Sequence, residues 1–456
     1  MQRQTDLLPR SKRPTVLIAD NHRLVQLSDT LNWTDLEEQA QKIRLGKLKN
    51  AAGRPPHLRA TLGAMLFMAT RRLTYREAED MIRYYAPARY LCGLTETDWT
   101  PDFTTIQDFT ELMGEEGVRL INERVVNLAV DKELADPRTV VADTTAQEAA
   151  IPHPNEMGLM AGFLRSVSSA ARKVGGKLKE FVHSATASFD AAMKEAREYR
   201  LFAKSKESKD RVMGHMVGIV EKVNRGLGAT LAAFSAQPRK LHGWAIVAKA
   251  KLEQLQRTMG ALLPQIRYWI RTGFVASGKI ISLHIPQLYA IVRGKVGKPV
   301  EFGLSWGITR LRGGYLLATL ARDRRELQDT KFAVRAVKDQ IALFGQAPRA
   351  YAYDRGGYSR QNVATLRKLG VKEVGLAPRG RTRWAVSEAT RERLVKERAL
   401  VEASIGTIKG SRYGFNRPAA RLAPTMGACG QRALLGFNAN KLVRELAGRK
   451  GVVLNG

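Results

Sequence analysis

Strand grammar in this chain starts, stops and starts again. Thr139-Val140-Val141-Ala142-Asp143 is a short β-branched run ending in a carboxylate, the composition of a buried strand. From about Met157 to Gly273 the apolar residues fall instead at helical intervals, among them Phe163, Val167, Val174, Leu178, Phe181, Phe189, Met193 and Ala196, with Glu, Lys and Arg between them. Strands resume at 300–320, where Val300 to Thr309 and Gly314 to Leu320 flank an Arg312-Gly313-Gly314 turn and read as a hairpin. The spacing then predicts a helix over about 326–344, the strand Ala350–Asp354, a helix over about 359–369 and the strand Glu373–Leu376. Helices over about 387–407 and 431–446 complete the pattern. This order describes an α/β layer with a mixed sheet, interrupted after an early strand by a large helical insertion.

Upstream the pattern is helical throughout. A short helix is expected at 33–47, after a polar, basic arm. Leu58, Leu62, Met65, Leu66 and Ala69 share one helix face. Thr74-Tyr75-Arg76-Glu77 carries a capping-box signature, and a further helix is expected near Thr104, after Pro101. The expected organisation is an arm and short helix at 1–56, a small all-α domain at 57–136 able to present a helix to DNA, an α/β domain at 137–447 interrupted at about 157–285, and a tail at 448–456.

Charge narrows the partners. The chain has 75 Lys and Arg against 43 Asp and Glu, a net +32 over 456 residues, and the 157–275 stretch alone carries 21 basic against 8 acidic residues. An excess of this size, spread over several segments, points to a polyanion: each phosphate neutralised releases counterions and adds salt-sensitive affinity. The two cysteines, Cys92 and Cys429, form no CxxC pair, which argues against a zinc site or a disulfide framework. The opening MQRQTDLLPRSKRP lacks a signal-peptide core, and no stretch reaches the ~18 apolar residues of a membrane span, so a cytoplasmic protein beside its DNA is expected.

Three carboxylates stand out. Asp143 and Asp354 each close a predicted strand, where α/β sheets expose functional groups. Either one alone reads as a turn former or helix cap. Glu402 follows Arg398 by four residues on one helix face, which alone reads as a surface ion pair. Glu301 is expected to face solvent from a hairpin strand, Asp329 to complement a helix N-terminus, and His153, between prolines, to be conformational. Trp384, among Arg379, Arg381 and Arg383, offers an aromatic surface amid cations.

Together, Val-Ala-Asp143-Thr-Thr, Ala-Tyr-Asp354-Arg-Gly-Gly-Tyr-Ser and Arg398-x3-Glu402-x6-Lys409 resemble the three catalytic blocks of bacterial insertion-sequence DDE transposases with an RNase H-like core. The third block is similar to that group's Tyr-x2-Arg-x3-Glu-x6-Lys signature, with Val395 where the group has Tyr. Lys298-Pro299-Val300-Glu301-Phe302-Gly303 and the helical segment 57–113, with its Pro101 to Ile106 turn, extend the resemblance across most of 57–445. It implies an RNase H-like mixed sheet and two-metal DNA cleavage and strand transfer. Asp143, Asp354 and Glu402 would hold two divalent cations, Mg or Mn. Arg398 and Lys409 would grip phosphates of the transposon end; apart from the resemblance, Arg381, Arg383 and Trp384 are further candidate DNA contacts, Trp384 by stacking on an unpaired base or else as a packed residue near a basic loop. The partners implied are terminal inverted repeats, target DNA and a second copy of the chain. A catalytically silent DNA-binding derivative and a related RNase H-like nuclease are the competing readings.

Overall fold

The computed structural model describes residues 18–47, 57–95, 98–236, 243–295, 298–322, 326, 328–378, 380, 384–420 and 422–456. The chain divides into two compact units: residues 1–147, 306–418 and 424–456 form the first, residues 148–305 and 419–423 the second. The fold is mixed α/β, mostly helical, with a mixed sheet.

In the first unit, α1 (Arg23–Thr30), α2 (Trp33–Lys47), α3 (Leu58–Arg71), α4 (Tyr75–Tyr84), α5 (Ala86–Leu91) and α6 (Phe103–Asp131) precede β1 (Asp136–Glu148). The expected helix at 33–47 is α2. The capping box forms as read: Glu77 N–H donates to Thr74 Oγ1 and Thr74 N–H to Glu77 Oε2, at 3.3 and 2.7 Å. In α3, by contrast, every residue from Ala60 to Thr70 is buried, not one face alone. A helix apolar on all sides belongs inside a protein, and α3 lies in a core shared with Leu36, Ile82, Leu91, Ile106, Ile121, Leu435 and Leu442. Gly114, at φ 61° and ψ −162°, breaks α6. Lys47 Nζ donates to the carbonyls of Leu112 and Met113 beside the break, at 2.8 and 3.1 Å.

The remainder of this unit carries β3 (Lys298–Arg312, from Trp306 onward), β4 (Leu316–Leu320), α12 (Asp329–Phe344), β5 (Ala350–Tyr353), a 3₁₀ turn (Arg355–Gly357), α13 (Arg360–Lys368), β6 (Glu373–Leu376), α14 (Glu388–Lys409) and α15 (Ala423–Arg449). The sheet order is β4-β3-β1-β5-β6, with β3 and β4 antiparallel and β1, β5 and β6 parallel. Asn438 ties edge strand β4 to two helices. Its Nδ2 donates to Leu316 O and to Asn122 Oδ1, at 2.7 and 2.8 Å, while Leu316 N–H donates to its Oδ1 at 3.0 Å.

The two faces of the parallel strands differ. Val140, Ala142, Tyr351, Tyr353, Val374 and Leu376 pack with Phe332, Ala333, Val337 and Leu366 of α12 and α13. Because side chains alternate along a strand, Asp143, Ala352, Asp354 and Gly375 point to the opposite face. There α14 covers β5 and β6: a Cβ on Gly375 would overlap Leu394 of α14.

The second unit holds α7 (Glu156–Val174), α8 (Gly176–Ser184), α9 (Thr186–Leu201), α10 (Lys206–Ser235), α11 (Gly243–Thr272), β2 (Tyr289–Lys295) and the first half of β3. All eight apolar residues singled out between Phe163 and Ala196 lie in or against its core, with Met216, Val220, Leu252 and Met259. The hairpin of β2 with β3 was not anticipated from sequence. Glu301, paired there with Ile291, is only 6% exposed, correcting the expectation of a solvent-facing glutamate.

Candidate active site

Asp143 and Asp354 are brought together by strand register. β1 and β5 run parallel with Thr139 opposite Ala350 and Val141 opposite Ala352. Continued by two residues, that register brings Asp143 level with Asp354, which lies one residue past the end of β5. Both are half-buried and point to the face that α14 covers.

One expectation about Asp143 fails. It does not close its strand, because β1 continues five residues to Glu148. The extension is polar in composition, yet its polar side chains are satisfied by distant elements. Thr144 Oγ1 donates to Asp329 at 2.8 Å. Gln147 Nε2 donates to Met426 O and its Oε1 accepts from Trp306 Nε1, at 2.9 and 3.0 Å. Asp354, expected as the last residue of its strand, lies one residue past the end of β5. It caps the 3₁₀ turn through Gly356 N–H at 2.8 Å.

The electrostatics of Asp354 are mixed. Burial, then the neighbouring Asp329 carboxylate, raise its pKa above the ordinary carboxylate range; the N–H groups of Gly356 and Gly357 and the Arg398 guanidinium oppose the rise. Asp329 is the first residue of α12 and accepts from Thr144 and from Tyr353 Oη, the latter at 3.0 Å. A helix N-terminus favours its charge, as its sequence position implied. Nothing in the sequence signalled its bonds to β1 and β5.

Arg398 reaches this face from α14. It lines, with Asp354, Arg355, Trp384, Arg391 and Val395, an open cleft of about 790 Å³. Trp384 lies in the cleft wall with the Arg391 guanidinium 5.6 Å from its ring centroid. Val395, where the resembled signature has Tyr, is an exposed residue of the same cleft. Glu402 lies one turn beyond Arg398 on α14 and is exposed. Lys409 ends the helix, three turns or about 16 Å from Arg398 at the helical rise. Among the described residues no three Asp, Glu, His or Cys side chains converge closely enough to hold a single ion. Arg381 and Arg383 lie outside the described residues. Among the described residues, no helix is long and apolar enough to cross a membrane.

Comparison with known proteins finds a family model described as "Transposase domain (DUF772)" matching residues 14–112. The match begins within the arm, spans α1 to α5 and the first ten residues of α6, and ends before the candidate carboxylates Asp143, Asp354 and Glu402. It supports a transposase family and, in general terms, a DNA-processing function. No curated protein and no solved structure matches the chain.

Proposed function

We propose that this chain is a DDE transposase with an RNase H-like core, cleaving DNA strands at insertion-sequence ends and joining them to target DNA. The observation that supports the reading is the parallel register of β1 and β5, which carries Asp143 toward Asp354 just past the end of β5, with Arg398 of α14 lining the cleft beside Asp354. The transposase-domain match at 14–112 supports it from a separate part of the chain.

Strand cleavage and joining place charge on attacking and leaving oxygens at phosphorus. Two divalent cations, Mg or Mn, would supply Lewis acidity to both when bound. Asp143 and Asp354 fit such ions as hard oxygen donors side by side. The upward pKa shift of Asp354, due to burial and Asp329, marks negative charge that a cation would offset. Glu402 is the third ligand in this reading. Arg398, beside Asp354, holds the scissile phosphate, and Lys409 holds a phosphate further along the same helix. Trp384 receives an unpaired base at the cleft wall, with Arg381 and Arg383 supplying charge nearby. Water attacks first, and the freed 3′-hydroxyl then attacks target DNA. The basic helices of the second unit lie along phosphate backbones and add affinity without sequence choice. A second copy of the chain holds the other DNA end.

The test is nicking of labelled DNA carrying the ends that flank the gene, with intact protein and Asp354→Ala compared at one salt concentration. Nicking at the repeat boundary that requires Mg²⁺ and Asp354 supports the proposal. Val395 and the exposed Glu402 favour a second reading, a catalytically silent DNA-binding derivative. Tight binding without cleavage decides for that reading.

A further inference from the structure

We infer that Asp329 is a positioning residue that sets the separation of Asp143 and Asp354. The inference rests on the reading of those two residues as cation ligands. Asp329 bonds the immediate chain neighbour of each: Thr144 Oγ1, following Asp143, donates to its Oδ1 at 2.8 Å, and Tyr353 Oη, preceding Asp354, donates to the same oxygen at 3.0 Å. Its other oxygen lies against Gly356, where a Cβ would overlap the carboxylate. Gly356 is also the residue whose N–H caps Asp354. One side chain thus joins β1, β5 and the turn that orients Asp354.

The geometry explains why Asp329 acts from behind. Thr144 and Tyr353 point to the face of the sheet opposite Asp143 and Asp354. Asp329 therefore works through its neighbours and needs no contact with a ligand. It is anchored at the N-terminus of α12, which favours its charge. Asn362 Nδ2 ties that end to the turn, donating to Thr330 O and Gly357 O at 2.7 and 2.8 Å. Groups that orient ligands in this way typically change metal affinity or activity by about 10- to 100-fold when removed.

The experiment is a Mn²⁺ titration of the full-length protein without DNA, by calorimetry, for wild type, Asp329→Ala, Asp329→Asn, Tyr353→Phe and Asp354→Ala, followed by Mg²⁺-dependent DNA nicking. Asp329→Ala is expected to weaken Mn²⁺ binding about tenfold or more and to raise the Mg²⁺ needed for half-maximal nicking. Asp329→Asn keeps an oxygen acceptor and should recover most of the loss. Tyr353→Phe removes one donor and should give a smaller loss, which keeps the inference testable if Asp329→Ala does not fold. Wild-type Mn²⁺ affinity in Asp329→Ala, or in Tyr353→Phe if the former is unfolded, overturns it. If Asp354→Ala itself binds Mn²⁺ like wild type, the reading of the carboxylates has failed. If Asp354→Ala loses binding while the Asp329 variants do not, only the present inference has failed.

Discussion

The two faces of the parallel strands are made by one alternating sequence and serve opposite ends. Toward α12 and α13 the strands present Val140, Ala142, Tyr351 and Tyr353, packed on Phe332 and Leu366. Toward α14 they present Val141, Asp143, Ala352, Asp354 and Gly375, and at the strand end Asp354 lines an open cleft. Burial on the first face holds the strands in register, and the register sets two carboxylates side by side on the second. Reactive groups in such a sheet need not stabilise it, since the opposite face does so.

This division can be broken by substitution. Asp354→Ala is expected to lower DNA nicking by about 10⁴-fold, near 5.5 kcal/mol in activation free energy, while costing no more than the ~1 kcal/mol of a lost cap in stability. A much larger loss of stability along with activity would mean that the two faces are not separable. On the other face, Phe332→Ala should cost about 3–5 kcal/mol of folding stability, read by urea denaturation, with near-normal nicking per folded molecule. Between them, Gly375→Ala introduces a methyl where Leu394 sits. It should cost about 1–3 kcal/mol by overpacking and also reduce nicking, because displacing α14 moves Arg398 and Glu402. Undiminished nicking would show that the position of α14 does not matter. The smallest effect is expected from Ser387→Ala, which removes the side-chain cap at the start of α14, donated by Thr390 N–H at 3.4 Å. About 1 kcal/mol of stability should be lost, without change in nicking.

Much of the fold was legible because it is written in local periods. The capping box at Thr74, the β3–β4 hairpin around Arg312-Gly313-Gly314, the strands ending before Asp354 and at Leu376, and α14 all follow from residues within a few positions of one another. Where the reading fell short, the deciding partner was far away in sequence. β1 runs past Asp143 because Asp329, Trp306 and the Met426 carbonyl satisfy Thr144 and Gln147, which locally read as the end of a strand. Glu301 is buried, in a hairpin whose first strand, β2, lies outside the expected strands. α3 is enclosed on all sides by helices that include α15 residues some 370 positions later, as the Asn440 bond to Thr70 O at 3.0 Å illustrates.

The candidate site divides in the same way. The resemblance to transposase blocks picked out Asp143, Asp354, Arg398 and Glu402 as candidates, and local periods located the strand that carries Asp143, the strand that ends just before Asp354 and the helix that carries the other two. Side-chain alternation and the helical repeat need only neighbouring residues to operate. Tertiary structure alone decided that Asp143 and Asp354 are level, that both face α14, and that Asp329 joins the strands behind them. Strand register and the pairing of buried polar groups are fixed by which segments bury surface together, and no local pattern specifies that choice.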